Sequence, residues 1–182
     1  MFLNIPLDLI GMILGGVAMF VFLISSFLKT KKQILLDQTC AHVILAISEA
    51  LMKTYSSIVQ EMVSIIRNIS VLLGKNTKWL NIFLVAFGAV FGLVANILWD
   101  DNSWYGYLPI IANLEYSIVI ISPLKSEKYL KLSLSLSCYL WAIFFIVTRN
   151  YLAGGFNLVT GTIALVASII LFTKKENKDN LE

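Results

Sequence analysis

Along the chain, apolar runs of nearly constant length alternate with short polar islands. A hydrocarbon core about 30 Å thick takes about 20 helical residues at a rise of about 1.5 Å each. Seven segments approach that length: 7–28, 34–53, 56–74, 79–99, 104–123, 129–148 and 151–173. The second and third are the least regular, because Asp37, Gln38, His42, Glu49, Gln60, Glu61 and Arg67 interrupt them. The pattern predicts an all-α integral membrane protein of about seven transmembrane helices.

Composition agrees with the pattern. Of 182 residues, 58% are hydrophobic and only 14% charged, and the mean hydropathy is +0.82; a soluble domain carries about 25% charged residues. The net charge of +3 is spread over the loops and forms no basic patch, which excludes nucleic acid as an expected partner. Cys40 and Cys138 fall inside apolar runs with no metal-ligand spacing and read as inert thiols. Met1 to Asp8 lacks the basic region and cleavage site of a secretory signal, so the first helix is expected to be retained.

The basic residues assign an orientation. With the N-terminus outside, eleven of the fourteen Lys and Arg residues face the cytoplasm: Lys29, Lys31, Lys32, Lys75, Lys78, Lys125, Lys128, Lys131, Lys174, Lys175 and Lys178. Only Lys53 and Arg149 fall outside, beside Asp100 and Asp101, and Arg67 lies within a helix. The positive-inside rule therefore predicts N-out, C-in. Trp79, Trp99, Trp104, Tyr55, Tyr105, Tyr107 and Tyr151 stand at segment ends, where amphipathic rings favour the headgroup layer. Residues 174–182 read as a short solvated cytoplasmic tail.

A shift of 96 residues lays helices one to three on helices five to seven. Matches include Ile24 with Ile120, Ser26 with Ser122, Leu28 with Leu124, Lys29 with Lys125, Lys32 with Lys128, Leu36 with Leu132, Ala46 with Ala142, Tyr55 with Tyr151 and Val63 with Val159. Lys53 meets Arg149, and Ser64 meets Thr160. This predicts a single membrane domain with repeat one at 7–74, a linker helix at 79–99 and repeat two at 104–173. Parallel repeats of this kind have sugar transporters of the SWEET type as their precedent, with the substrate site between the repeats. A likeness of plan does not settle function.

The Lys-rich first loop KTKKQ, the apolar second helix, Tyr55 at the turn and the run from Ile58 to Arg67 carry a further likeness. In these features the chain resembles the YgjV-like family of bacterial inner-membrane proteins. The resemblance implies residence in the bacterial cytoplasmic (inner) membrane, and little about activity. The family's pattern resembles an Asn three residues before an Arg; here Arg67 is present and Ser64 replaces the Asn.

Ionisable residues inside a span cost about 2.5–3.5 kcal/mol on insertion scales and are functional candidates by default. Gln38 and His42, four residues apart, share a face of helix two. Asp37 and Arg67 fall at comparable depth from the cytoplasmic side and are expected to form a gating pair or a structural one. Asn113 and Glu115 lie mid-span in helix five, which also contains Pro109, a residue that removes a backbone donor and kinks a helix interior. Asn157 lies in helix seven, aligned with Glu61. Glu49 and Glu61, flanking the outer turn, are expected to be interfacial and solvated. Trp141 is suited to packing or to stacking on a ring-shaped ligand. Gly11 with Gly15, and Gly88 with Gly92, allow close helix approach and equally suit a homodimer contact.

Enzyme signals are missing: one histidine, no nucleophile elbow, no phosphate-binding glycine loop, no clustered metal ligands. No enzyme activity and no cofactor are expected. The expected partners are the lipid bilayer and a small polar solute. The expected function is a small-solute transporter or facilitator, its site built from Asp37, Gln38, His42, Arg67, Asn113, Glu115 and Asn157. Uptake of a nucleoside-type vitamin falls within that class. The alternative is a non-transporting membrane scaffold or interaction protein held together by glycine-mediated packing, whose polar residues pair internally and leave no central cavity.

Overall fold

The computed structural model describes residues 6–24, 28, 30–121 and 127–179. The described residues form seven α-helices: α1 (Leu7–Ile24), α2 (Lys31–Leu51), α3 (Tyr55–Leu72), α4 (Lys78–Trp99), α5 (Tyr107–Ile121), α6 (Glu127–Val147) and α7 (Tyr151–Asp179). A 3-10 turn, Trp104–Gly106, leads into α5. Each helix coincides with a segment expected from the apolar pattern. The expected residues 25–27 and 122–123, the paired Ser26, Lys29, Ser122, Leu124 and Lys125, and the last residues of the tail, 180–182, lie outside the described residues. Over the rest of the tail the backbone continues as helix, α7 running on to Asp179. Pro109 is the third residue of α5, in its first turn and not in the helix interior, where its missing N–H leaves no intrahelical bond unmade.

Successive helices pack against each other, and α1 also packs against α7. The order α1–α2–α3–α5–α6–α7 therefore closes into a ring, with α3 touching α5 directly and α4 set against both. The first helix of each three-helix segment thus meets the third helix of the other.

Two connections have the same geometry 96 residues apart. α2 and α6 begin at Lys31 and Glu127 and end at Leu51 and Val147, while α3 and α7 begin at Tyr55 and Tyr151. At the first turn, the Thr54 N–H donates to the Glu49 carbonyl (3.0 Å) and the Lys53 N–H to Ala50 (3.3 Å). At the second, the Asn150 N–H donates to Phe145 (2.7 Å) and the Arg149 N–H to Ile146 (3.1 Å). Lys53 (φ 58°) and Arg149 (φ 65°) both take the left-handed conformation that closes a helix in this way.

Side-chain distribution follows the solvent. On α3, Ser57, Gln60, Glu61, Ser64 and Asn68 are buried, while Met62, Ile66 and Ile69 are exposed. These spacings put polar residues on one inward stripe and apolar residues on the outward one. Water would penalise such a helix, whereas lipid tails favour it. The outward face of α4 repeats the point with Phe83, Val90, Phe91, Val94, Ile97 and Leu98. Among the described residues, four helices are long and apolar enough to cross a membrane: Leu7–Ile24, Lys78–Trp99, Lys128–Val147 and Tyr151–Thr173. The inward polar residues lower the hydropathy of α2 and α3, and α5 has only 15 residues.

The glycine pairs are filled from within the chain. Gln60 of α3 enters the notch made by Gly88 and Gly92, donating from Nε2 to the Gly88 carbonyl at 2.8 Å. Gly11 lies under Met52 and the Ser48 carbonyl, and Gly15 under the Asn150 amide. Ser48 Oγ donates to the Gly11 carbonyl (2.7 Å), and Asn150 Nδ2 donates to Ser48 Oγ (3.4 Å). The close approach expected of these glycines thus serves packing inside one chain.

Candidate functional site

The ring encloses a cavity of about 270 Å³, lined by residues of α1, α2, α3, α5, α6 and α7 and by none of α4. Helical spacing explains which residues reach it. On α6 the contributors are Leu134, Ser137, Cys138, Trp141 and Phe145, a single stripe at three- and four-residue steps. α2 contributes Gln38, His42 and Leu45 in the same way, and α3 supplies Glu61, Ser64 and Arg67. Asn113 and Tyr116 of α5, and Asn157 and Thr160 of α7, complete the polar wall.

Inside this cavity His42 Nδ1 lies 2.5 Å from Glu61 Oε2, joining α2 to α3. The Phe22 ring packs against the imidazole in a T-shaped arrangement (centroids 5.7 Å apart, planes at 77°). Arg67 sits on the same helix as Glu61; its Nη1 reaches Ser117 Oγ at 3.5 Å, and its guanidinium lies 6.0 Å from the Tyr116 ring centroid. A guanidinium offers five donors, so one long hydrogen bond to a hydroxyl leaves most of that capacity for a ligand. Asn113 donates to Gln60 Oε1 (2.8 Å), which ties the cavity wall to the Gly88 notch. Trp141 stacks on Phe145 (5.4 Å, 28°) and meets Phe144 edge-on (5.7 Å, 87°). These rings join Met19 and Leu45 in an apolar cluster bordering the polar wall.

Of the residues expected from the sequence, Gln38, His42, Arg67, Asn113 and Asn157 line this one cavity. Asp37 and Glu115 are not among its lining residues. At about 100° per residue, Asp37 is turned away from the face shared by Gln38 and His42, and Glu115 from the face shared by Asn113 and Tyr116. Arg67 is met by Ser117 and Tyr116 of α5.

The expectation for the two outer glutamates is corrected. Glu61 is 2% exposed and Glu49 only 1% exposed; neither is solvated, because their faces of α2 and α3 turn into the bundle. Glu61 finds His42, whereas neither carboxylate oxygen of Glu49 has a hydrogen-bond partner among the described residues. The hydroxyl of Ser57 is committed to the Thr54 carbonyl at 2.7 Å. Glu61 was findable: it aligns with the candidate Asn157 at the 96-residue shift, and its neighbours at 57, 60, 64 and 68 are all polar. Four further lining pairs obey that shift: Gln38 with Leu134, His42 with Cys138, Leu45 with Trp141, and Ser64 with Thr160. Among the described residues, no group of three His, Cys, Asp or Glu is placed to hold a metal ion.

Comparison with protein families matches residues 9–175 to the family Imp-YgjV, described as bacterial inner membrane protein. Searches of curated proteins and of solved structures gave no match.

Proposed function

The chain belongs to the Imp-YgjV family of bacterial inner membrane proteins, and from that premise we propose that it is a transporter or facilitator for a small solute, bound in the cavity between two three-helix repeats. The observation that carries this reading is the polar cavity itself, to which every helix of both repeats contributes while α4 contributes nothing. A linker helix is expected to stand outside the site in this way.

The repeat reading is supported by the shared helix bounds, the two identical turns and the five lining pairs at one shift. It is supported as well by the two seams, α1 with α7 and α3 with α5, which exchange under a two-fold axis along the membrane normal. In this reading all seven helices cross the bilayer, with the N-terminus outside and the C-terminus in the cytoplasm. The scaffold alternative calls for polar residues that pair internally and leave no central cavity, and the cavity of about 270 Å³ between the helices weighs against it.

The test is thermal unfolding of the purified protein against sugars, nucleosides, amino acids, vitamins and small organic acids with their amides. A ligand at about 100 times its Kd, binding only the folded state, stabilises by about 2.7 kcal/mol. The expected result is a saturable shift for one solute class, lost in Asn157→Leu with the fold retained. No shift from any solute, in a preparation shown to be folded, would overturn the transport reading.

A further inference from the structure

We propose that the cavity takes a small organic monoanion together with one proton, Arg67 holding the anion and the His42–Glu61 pair holding the proton. This rests on the transport reading and names the substrate class and the coupling of the same site.

The argument is one of charge. An uncompensated charge inside a bundle surrounded by lipid is costly, so both the empty and the loaded cavity must be close to neutral. The groups that face the His42–Glu61 pair can be counted helix by helix. α3 supplies the Arg67 guanidinium, which stays charged at all relevant pH. α5 supplies the Tyr116 phenol and α6 the Cys138 thiol, both uncharged near neutral pH. From α1 come Met19 and Phe22, and from α7 Asn157 and Thr160, none of which titrates there. Further along α2, Glu49 is buried with both oxygens unpartnered, surroundings that accept only the neutral acid.

Two states then balance. In the empty cavity, Arg67 is offset by the Glu61 carboxylate, and His42 is the neutral imidazole that shares its proton with Glu61. When a monoanion settles on the free donors of Arg67, one extra negative charge enters. A proton added to His42 cancels it, and the imidazolium is held by Glu61 at 2.5 Å. No other lining group takes up a proton near neutral pH, so anion and proton enter and leave together, one for one. His42 suits the task because an imidazole carries two ring nitrogens, so Nδ1 can stay on Glu61 while the other takes the added proton. The Trp141 ring, in the same cavity, gives an apolar surface for the uncharged part of the acid.

The experiment uses the full chain in detergent, with acetate, lactate and benzoate as probes and acetamide, lactamide and benzamide as uncharged controls. Thermal shift reads affinity, and a pH indicator in weak buffer reads proton uptake. At least one acid is expected to bind, its amide is not, and about one proton is taken up per acid bound. Obligate uptake of one proton makes affinity rise about tenfold for each unit fall in pH. Two variants sharpen the result. Arg67→Gln should lose acid binding while Arg67→Lys keeps part of it, which separates lost charge from lost fold. Glu61→Gln leaves Arg67 unneutralised, so it should bind the acid without taking up a proton.

Amides that bind as well as the acids, acid binding with no proton uptake, or full acid binding by Arg67→Gln would each overturn this inference and leave transport standing. So would a neutral sugar or nucleoside that binds while every acid fails. Silence from all solutes, acids included, would overturn the transport reading and this inference with it.

Discussion

Asp100, at the end of α4, reaches back across 44 residues to the first turn of α3, where its Oδ2 accepts the backbone N–H of Ser56 at 2.7 Å. Its Oδ1 accepts the neighbouring N–H of Tyr55 at 2.8 Å. Helix N-termini carry unsatisfied donors and a partial positive charge, and the local N-cap, Thr54, makes no side-chain cap bond. A distant carboxylate has taken that place. It pins the α4–α5 connection to the α2–α3 turn, at the same end of the bundle as Ser48 and Asn150.

Removing that carboxylate should loosen α3. Asp100→Ala is expected to lower stability by about 1–2 kcal/mol, the usual cost of losing a helix cap. Asp100→Asn should lose less, since one oxygen still accepts. Thermal unfolding of the two variants checks the order; equal stability of Asp100→Ala and wild type would remove the cap from the account.

The glycines should divide by their surroundings. A Cβ at Gly92 would stand 2.5 Å from Gln60 Nε2 and 2.9 Å from Ile110 Cγ1, whereas nothing lies within 4 Å of one at Gly155. Gly92→Ala is expected to cost about 1–3 kcal/mol, as overpacking does. Gly155→Ala, in an open helical position, should gain about 0.5–1 kcal/mol. Unfolding in detergent compares them directly, and a Gly92→Ala variant as stable as Gly155→Ala would contradict the packing described for Gln60.

Lys53 and Arg149 offer a paired test of the two turns. Each occupies left-handed space that costs an L-residue roughly 1 kcal/mol and costs glycine nothing. Lys53→Gly and Arg149→Gly are both expected to stabilise, by up to about 1 kcal/mol, and Lys53→Val and Arg149→Val to destabilise. The same sign and similar size at both sites, measured by thermal unfolding, is the outcome that equivalent turns require.

Orientation has its own measurement. In intact cells, a membrane-impermeant thiol reagent should label Asn102→Cys above the unsubstituted chain and leave Lys178→Cys unlabelled until the membrane is opened. The reverse pattern would invert the proposed topology.

How much of this was legible beforehand follows from the range of the interactions concerned. The helices were visible because each is a local run of apolar residues between charged islands, and the positions of Lys53 and Arg149 at matching turns showed in the 96-residue shift. Gln38, His42, Arg67, Asn113 and Asn157 stood out because a polar residue deep in an apolar run is costly. Glu49 and Glu61 misled, because a carboxylate near a helix end is equally compatible with reaching the interface, and the sequence does not say which way that face of the helix turns. Asp37 and Glu115 are equally polar and mid-run but lie off the face that meets the cavity, a rotation that the sequence does not state.

The sequence by itself determined the number and extent of the helices and, through its apolar surface and polar inner stripe, the solvent they are built for. Those are properties of consecutive residues, set by backbone hydrogen bonding within a helix and by transfer of its side chains out of water. Only the tertiary structure decided that α1 closes on α7, that Gln60 fills the Gly88 notch, that Asp100 caps α3, and that His42 meets Glu61. Each of these joins groups far apart in the chain, and such a contact forms only when the packing of whole helices has fixed the rotation of both partners about their axes.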